Sequence, residues 1–200
     1  DKALLLREMN LLPDWLVEKQ LGISLNSAER KMFADSFEYL IDNALAQPQV
    51  FVHRDYHCRN LMVCNDNNPG IIDFQDAVIG PVTYDLVSLL KDCYIKWPDQ
   101  WIEQQALGFL SEQQRQGKLL DCSSEQFICW FDLMGIQRHL KAAGIFSRLN
   151  QRDNKPGYLN DIPRTLSYII ESGIRYPAIE PLAKWLEQRV MPLLAEKLSG

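Results

Sequence analysis

The residues His53, Arg54 and Asp55, followed by Asn60 and then by Asp73, limit the fold of this chain more than any other feature. The first four follow the pattern H-R-D-x-x-x-x-N, and Asp73 lies thirteen positions beyond the asparagine. Four fixed positions at fixed spacing should occur by chance in a chain of this length at a rate on the order of 1 in 1,000. We therefore interpret the pattern as a functional site.

Short β-prone segments separate these polar positions. They occupy residues 50–52, 61–63 and 71–74, and residues 65–70 form a dense cluster of turn-forming side chains. A turn cluster between two β-prone segments predicts a β-hairpin. We expect this hairpin to bring the two aspartates and the asparagine of the pattern together on one side.

These residue types in this order suit phosphoryl transfer. One carboxylate can accept the proton of an attacking hydroxyl, while an amide oxygen and a second carboxylate hold the Mg²⁺ that neutralises phosphate charge. The alternative is that Asp55 and Asn60 are turn residues that hydrogen-bond only the local backbone.

Most of the remaining chain is predicted to be helical. Apolar residues recur at helical spacing between residues 32 and 44, after Asn26 and Glu29, which form a capping pair. Further helices are predicted near residues 83–95, 99–116, 124–150, 162–174 and 180–198. Ser123 and Gln126 predict a capping box at the start of the helix 124–150. The fold class is therefore α+β and mostly helical, with a small β-hairpin that carries the polar residues.

Composition excludes several classes of partner. The 200 residues are 46% hydrophobic and 24% charged, and the net charge of −5 provides no basic field for nucleic acid or for an anionic membrane. The five cysteines are odd in number and have no paired spacing, which argues against a disulfide framework and a zinc site. We expect a cytoplasmic protein with a small-molecule substrate.

The segment from His53 to Asp73 resembles the aminoglycoside phosphotransferase family, which shares its fold with protein kinases and choline kinases. The resemblance implies the C-terminal lobe of the protein-kinase-like fold, with ATP and Mg²⁺ as cofactors. By that likeness Asp55 is the catalytic base, and Asn60 and Asp73 are the magnesium ligands.

Three further residues have supporting roles by the same resemblance. Asp85 is similar to the family aspartate that opens a buried helix and braces the catalytic loop. His53 is expected to pack beneath the loop and to take no part in the chemistry. Asp76 has two interpretations, a residue beside the metal ligands or a solvated turn carboxylate.

The nucleotide-binding signals of such enzymes are not found in the sequence. None of the ten glycines forms G-x-G-x-x-G, and no strand-borne lysine precedes the catalytic loop. We therefore expect residues 1–200 to be a single C-terminal lobe without the N-terminal lobe that covers ATP. The isolated chain is then expected to be inactive.

The short connection after Asp73 favours a small-molecule acceptor. Residues 75–83 alone separate it from the next helical signal, which leaves no room for a segment that presents a protein substrate. Within the family, the chain resembles bacterial kinases that phosphorylate the anomeric hydroxyl of N-acetylmuramate and N-acetylglucosamine in peptidoglycan recycling. The stretches that carry this likeness are residues 6–15, 73–77, 80–86, 130–135, 137–141 and 155–158.

Polar side chains on the predicted helix 124–150 are candidates for binding the sugar. Asp132 and His139 are seven positions apart and share a helix face, and Gln137 and Arg138 lie beside them. The alternative is that these side chains face solvent or pair with each other. Two other interpretations stay open: a non-catalytic remnant lobe, and a kinase for an aminoglycoside, choline or homoserine.

Overall fold

The computed structural model describes residues 1–199, which are mostly helical with a few short strands. The chain divides into two compact units, one made of residues 1–45 with those from 136 onward, the other of Ala46–Gly135. This architecture confirms the predicted mostly helical α+β class. None of the helices in the described residues is long and apolar enough to cross a lipid bilayer.

In the first unit, every regular element among the described residues is helical. Many of its apolar side chains, among them Met9, Leu16 and Leu140, are fully buried. The elements are α1 (Lys2–Met9), a π-helical segment (Leu12–Gln20), α2 (Ser27–Ala46), the second part of α5 (Ser124–Asp153), a 3₁₀ segment (Pro156–Asp161), α6 (Ile162–Gly173), α7 (Glu180–Trp185), a second π-helical segment (Leu186–Val190) and α8 (Met191–Ser199).

Two helices begin at the capping residues that the sequence predicts. The Glu29 N–H donates to Asn26 Oδ1 at 2.9 Å, and the Asn26 N–H donates back to Glu29 Oε2 at 2.9 Å. At the start of α5 the Gln126 N–H donates to Ser123 Oγ at 3.2 Å. Such caps satisfy N–H groups that have no partner inside the helix, at about 1 kcal/mol each. Both start signals are confirmed.

The second unit contains all four strands found in residues 1–199, arranged as two antiparallel pairs. Strand β2 (Leu61–Met62) pairs with β3 (Gly70–Ile71), which confirms the predicted hairpin. Strand β1 (Gln49–Val52) pairs with β4 (Val78–Pro81), a strand that the sequence did not predict. The inner pair lies in sequence between the two outer strands, so one hairpin is nested within the other.

Helix α3 (Tyr84–Leu90) is shorter than the predicted helix at 83–95. Lys91 leaves the helical conformation, with φ −111° and ψ 52°. The next carboxylate, that of Asp92, accepts backbone N–H groups from outside the helix, and these bonds turn the chain away from the helix axis. The predicted extent was therefore wrong beyond Leu90. Helix α4 (Asp99–Arg115) starts close to the predicted position.

A glycine of α5 lies directly against the backbone of the first unit. A Cβ atom built on Gly144 would lie 2.3 Å from the carbonyl carbon of Leu11 and 2.5 Å from its oxygen. Both distances are far inside van der Waals contact, and the obstacle is backbone that cannot rotate away. Close packing between α5 and the turn after α1 therefore depends on this residue having no side chain.

We predict that Gly144→Ala destabilises the chain by about 1–3 kcal/mol, because overpacking outweighs the better helix propensity of alanine. The matched control is Gly108→Ala in α4, where an added Cβ meets no atom within 4 Å. That variant should be neutral or up to about 1 kcal/mol more stable. Urea unfolding followed by circular dichroism measures both. Equal stability of the two variants would contradict the packing described here.

Candidate active site

The structure brings the three predicted catalytic and metal-binding residues together. Asn60 ends a short 3₁₀ segment (Cys58–Asn60), and its side-chain Nδ2 donates to the backbone carbonyl of Asp55 at 3.0 Å. The same nitrogen donates to Asp73 Oδ2 at 3.3 Å. One buried amide therefore links the loop after β1 to the loop after β3, and the predicted convergence is confirmed.

The orientation of Asn60 suits a magnesium ion. Because Nδ2 makes both hydrogen bonds, the amide oxygen of Asn60 remains available to a ligand. The exposed carboxylate of Asp73 supplies further oxygen atoms. Amide and carboxylate oxygens are the hard donors that Mg²⁺ prefers, with water and phosphate oxygens as its other ligands. The donor set therefore fits this ion. Among residues 1–199, no group of three or more histidine, cysteine, aspartate or glutamate side chains is arranged to hold a metal.

Asp85 holds the start of the loop of residues 53–60, the segment that the sequence analysis predicts to be the catalytic loop. It lies in the first turn of α3, and its carboxylate accepts the N–H of His53 at 2.7 Å and that of Arg54 at 3.0 Å. Arg54 has a φ of 75°, a left-handed conformation that non-glycine residues seldom adopt. The two hydrogen bonds hold the chain in this turn, while the supporting role that the resemblance implies for Asp85 stays a prediction.

His53 connects the catalytic loop to the segment that carries Asp73. Its side chain is 5% exposed, and Nε2–H donates to the carbonyl of Ile72 at 3.0 Å. In addition, the Ile72 N–H donates to the carbonyl of Asn60 at 3.1 Å. The histidine lies beneath the loop, in the position that the sequence analysis expected.

Asp76 is exposed and takes part in the site through its backbone. Its carbonyl oxygen accepts a hydrogen bond from Arg54 Nη1 at 3.4 Å. The Asp73 carboxylate is contacted instead by Gln75, whose Nε2 lies 2.5 Å from Oδ1. Both interpretations of the Asp76 carboxylate stay predictions.

Asp92 is a site residue that the sequence analysis missed. It is 1% exposed and accepts the Cys58 N–H at 2.9 Å, which places a second carboxylate, in this case a buried one, against the catalytic loop. Burial and the neighbouring Asp92 raise the pKa of the Cys58 thiol to about 11, so this thiol stays protonated near neutral pH. An aspartate seven positions after Asp85, inside an apolar stretch, was the available signal.

The four residues predicted to bind sugar are all buried, so none of them faces solvent. Asp132 lies in the second unit and pairs with Lys91, with Nζ 2.9 Å from Oδ1. Gln137, Arg138 and His139 lie in the first unit. Gln137 Nε2 donates to a carboxylate oxygen of Glu8 at 3.2 Å.

His139 is fully buried and stacks on Tyr168 of the same unit, with ring centroids 4.8 Å apart. Arg138 is 5% exposed. Asp132 and Gln137 pair with residues outside this set of four, Lys91 and Glu8 respectively. A role in sugar binding stays a prediction for all four.

Curated relatives align with most of this chain. It is 42% identical over 190 residues to the N-acetylmuramate/N-acetylglucosamine kinase of Neisseria meningitidis serogroup B, covering 95% of this chain and 57% of that protein. It is 45% identical over 188 residues to the kinase of the same name from Pseudomonas putida, covering 94% and 55%. That of Caulobacter vibrioides is 32% identical over 149 residues, covering 72% and 39%. The chain spans about half the length of the first two.

The family of the chain follows from a separate match. Residues 5–120 match the phosphotransferase enzyme family, and this range includes every residue of the converging site described above. The match covers more than half of the 200 residues. The chain therefore belongs to the phosphotransferase enzyme family.

Proposed function

We propose that this chain is the catalytic part of an ATP-dependent kinase that phosphorylates the anomeric hydroxyl of N-acetylmuramate or N-acetylglucosamine. The observation that carries the proposal is the pair of hydrogen bonds from the Asn60 amide, which joins the loop of Asp55 to Asp73. Membership of the phosphotransferase family supports ATP as the donor. The names of the relatives at 42–45% identity support the acceptor.

Asp55 is the proposed proton acceptor. Its carbonyl oxygen is already occupied by Asn60 Nδ2 and by the N–H of His57, both at 3.0 Å. These two bonds fix the backbone, while the half-buried carboxylate makes no hydrogen bond to any of residues 1–199. A positioned carboxylate without an internal partner can accept the proton of an attacking hydroxyl.

Asn60 and Asp73 are the proposed magnesium ligands. A bound Mg²⁺ would neutralise charge on the transferred phosphate. The protein contributes the orientation of both ligands: Asn60 is held by its two hydrogen bonds, and the Asp73 backbone has a φ of 70° that turns its side chain at the end of the hairpin.

The path of the chain after Asp73 supports a small acceptor. Of the residues between Asp73 and α3, Val78–Pro81 are paired with β1 as strand β4. Few residues are then left to form a platform for a polypeptide substrate, whereas a sugar needs only a pocket beside the base.

The first prediction concerns activity. A chimera in which this chain replaces the matching 190 residues of the Neisseria meningitidis relative should phosphorylate N-acetylmuramate or N-acetylglucosamine with ATP and Mg²⁺. The chain alone should be slower by roughly 100-fold or more, because groups that position the ATP phosphates are not found in its sequence. Rapid turnover by the chain alone would refute the expectation that it lacks groups that position the ATP phosphates.

The controls of that experiment separate the alternative functions. The unaltered relative reports whether the assay works, and choline, homoserine and an aminoglycoside are offered in parallel as acceptors. Turnover of one of these instead of the amino sugars would mean that the chain is a kinase for a different acceptor. A folded chimera with no turnover on any acceptor would favour a non-catalytic lobe.

A second prediction separates the roles of the two aspartates in the chimera. Asp55→Asn should lower kcat by about 10²–10⁴-fold and leave magnesium-dependent nucleotide binding nearly unchanged, because it removes only the proton acceptor. Asp73→Ala should weaken both, because it removes a metal ligand. The matched control is Asp66→Asn in the exposed hairpin turn, which should behave like the parent. If Asp55→Asn lost only nucleotide affinity, the assignment of the base would be wrong.

A third prediction tests the sugar-binding residues. Gln137 is the best probe, because its Oε1 is buried with no hydrogen-bond partner among residues 1–199, whereas changing Asp132 would break its buried ion pair with Lys91. If Gln137 binds the acceptor, Gln137→Met should raise the acceptor KM about 2- to 12-fold, the cost of one hydrogen bond, and leave the ATP KM unchanged. Ser147→Ala, at another partnerless buried oxygen of α5, is the matched control. An unchanged acceptor KM in both variants would mean that Gln137 is a structural residue and does not bind the acceptor.

A further inference from the structure

The carboxylate of Asp92 joins the catalytic loop to the chain that follows α3. The side chain is almost completely buried, with 1% of its surface exposed. Oδ2 accepts the backbone N–H of Cys58 at 2.9 Å, and Oδ1 accepts that of Tyr94 at 2.8 Å. One carboxylate therefore fixes two separate backbone segments relative to each other.

Tyr94 strengthens the same connection through its ring. The guanidinium carbon of Arg59 lies 3.5 Å from the centroid of the Tyr94 ring, a cation–π contact. The ring of His57 meets it edge-on, with centroids 5.3 Å apart. Residues 57–59 are thus held by a buried hydrogen bond and by two ring contacts, all from residues 92–94.

Asp85 and Asp92 hold different parts of one loop. Asp85 accepts the two N–H groups that immediately precede Asp55. Asp92 accepts the N–H of the residue two positions before Asn60. The loop is therefore anchored on both sides of the proposed base, and the second anchor is the nearer one to the proposed metal ligand.

We propose that Asp92 is a positioning residue that sets the place of Asn60 relative to Asp55, so that the amide oxygen is presented to the metal. The proposal rests on the proposed function, because it takes Asn60 as a magnesium ligand. A change at Asp92 should then alter metal binding and turnover together. If Asp92 served only to stabilise the fold, its substitution would lower stability and leave metal affinity unchanged.

The test is Asp92→Asn in the chimera described above. An amide of the same size keeps one acceptor oxygen but directs its own N–H at a backbone N–H, so one of the two anchoring bonds is lost. Mn²⁺ binding in the presence of ADP is measured by electron paramagnetic resonance, and kcat is measured with saturating substrates. We expect both Mn²⁺ affinity and kcat to fall about 10-fold or more, the usual effect of losing a residue that orients a metal ligand. The acceptor KM should not change.

The matched control is Thr83→Val in the same unit. Thr83 is fully buried, and its Oγ1 donates to Gln47 Oε1 at 2.7 Å, so the variant also removes a buried hydrogen bond close to α3. Its thermal midpoint should fall while Mn²⁺ affinity stays at the parent value. If Asp92→Asn folds and binds Mn²⁺ as the parent does, or if Thr83→Val weakens Mn²⁺ binding equally, the proposal is overturned.

A second variant covers the case in which Asp92→Asn does not fold. Tyr94→Leu removes both ring contacts but leaves the buried carboxylate in place, and it should lower Mn²⁺ affinity in the same direction by a smaller factor. Parent-like Mn²⁺ binding in that variant would then overturn the proposal. A parent chimera that binds Mn²⁺ but transfers no phosphate to a sugar would refute the proposed function, while the Mn²⁺ comparison would still decide the role of Asp92.

Discussion

The two hydrogen bonds that the Asp85 carboxylate accepts from the backbone determine the course of the catalytic loop. Arg54 follows β1 in a left-handed conformation, which costs a non-glycine residue on the order of 1–2 kcal/mol. Hydrogen bonds to a charged acceptor contribute about 1.5–3 kcal/mol each, enough to offset that cost. Without them the chain would continue in the direction of the strand, and the Asp55 carboxylate would lie elsewhere.

The position of Asp73 is set by this loop and not by packing of its own side chain. Asp73 is exposed, so burial does not fix it. Three polar contacts connect its segment to the loop: the ring of His53 to the carbonyl of Ile72, the N–H of Ile72 to the carbonyl of Asn60, and the Asn60 amide to the Asp73 carboxylate. A site held in this way keeps the Asp73 carboxylate exposed while it keeps its spacing from Asn60.

Features that depend on neighbours in sequence could be predicted. The turn-forming residues 65–70 indicated the hairpin, the capping residues gave the starts of α2 and α5, and the motif gave the convergence at Asn60. Features that depend on distant partners could not. Strand β4 is a strand only because β1 lies beside it, and α3 ends early because Asp92 binds the N–H of Cys58. Likewise, the sequence of their own helix could not predict which distant residues contact the predicted sugar-binding side chains.

The nested hairpins also determine where this chain can change in length. Strands β1 and β4 pair from Gln49 opposite Pro81 to Val52 opposite Val78, and they close a loop that contains Asp55, Asn60 and Asp73. Within it, the shorter ladder of β2 and β3 isolates an exposed tip at residues 65–69. Lengthening this tip would cost only about 0.6 kcal/mol for each doubling of its length, because the ladder below it stays closed. An insertion on either side of that ladder would instead shift Asn60 against Asp73. Variation in length during evolution, and any tag or binding sequence added by design, should therefore be tolerated at the tip and excluded from the two connections that flank it.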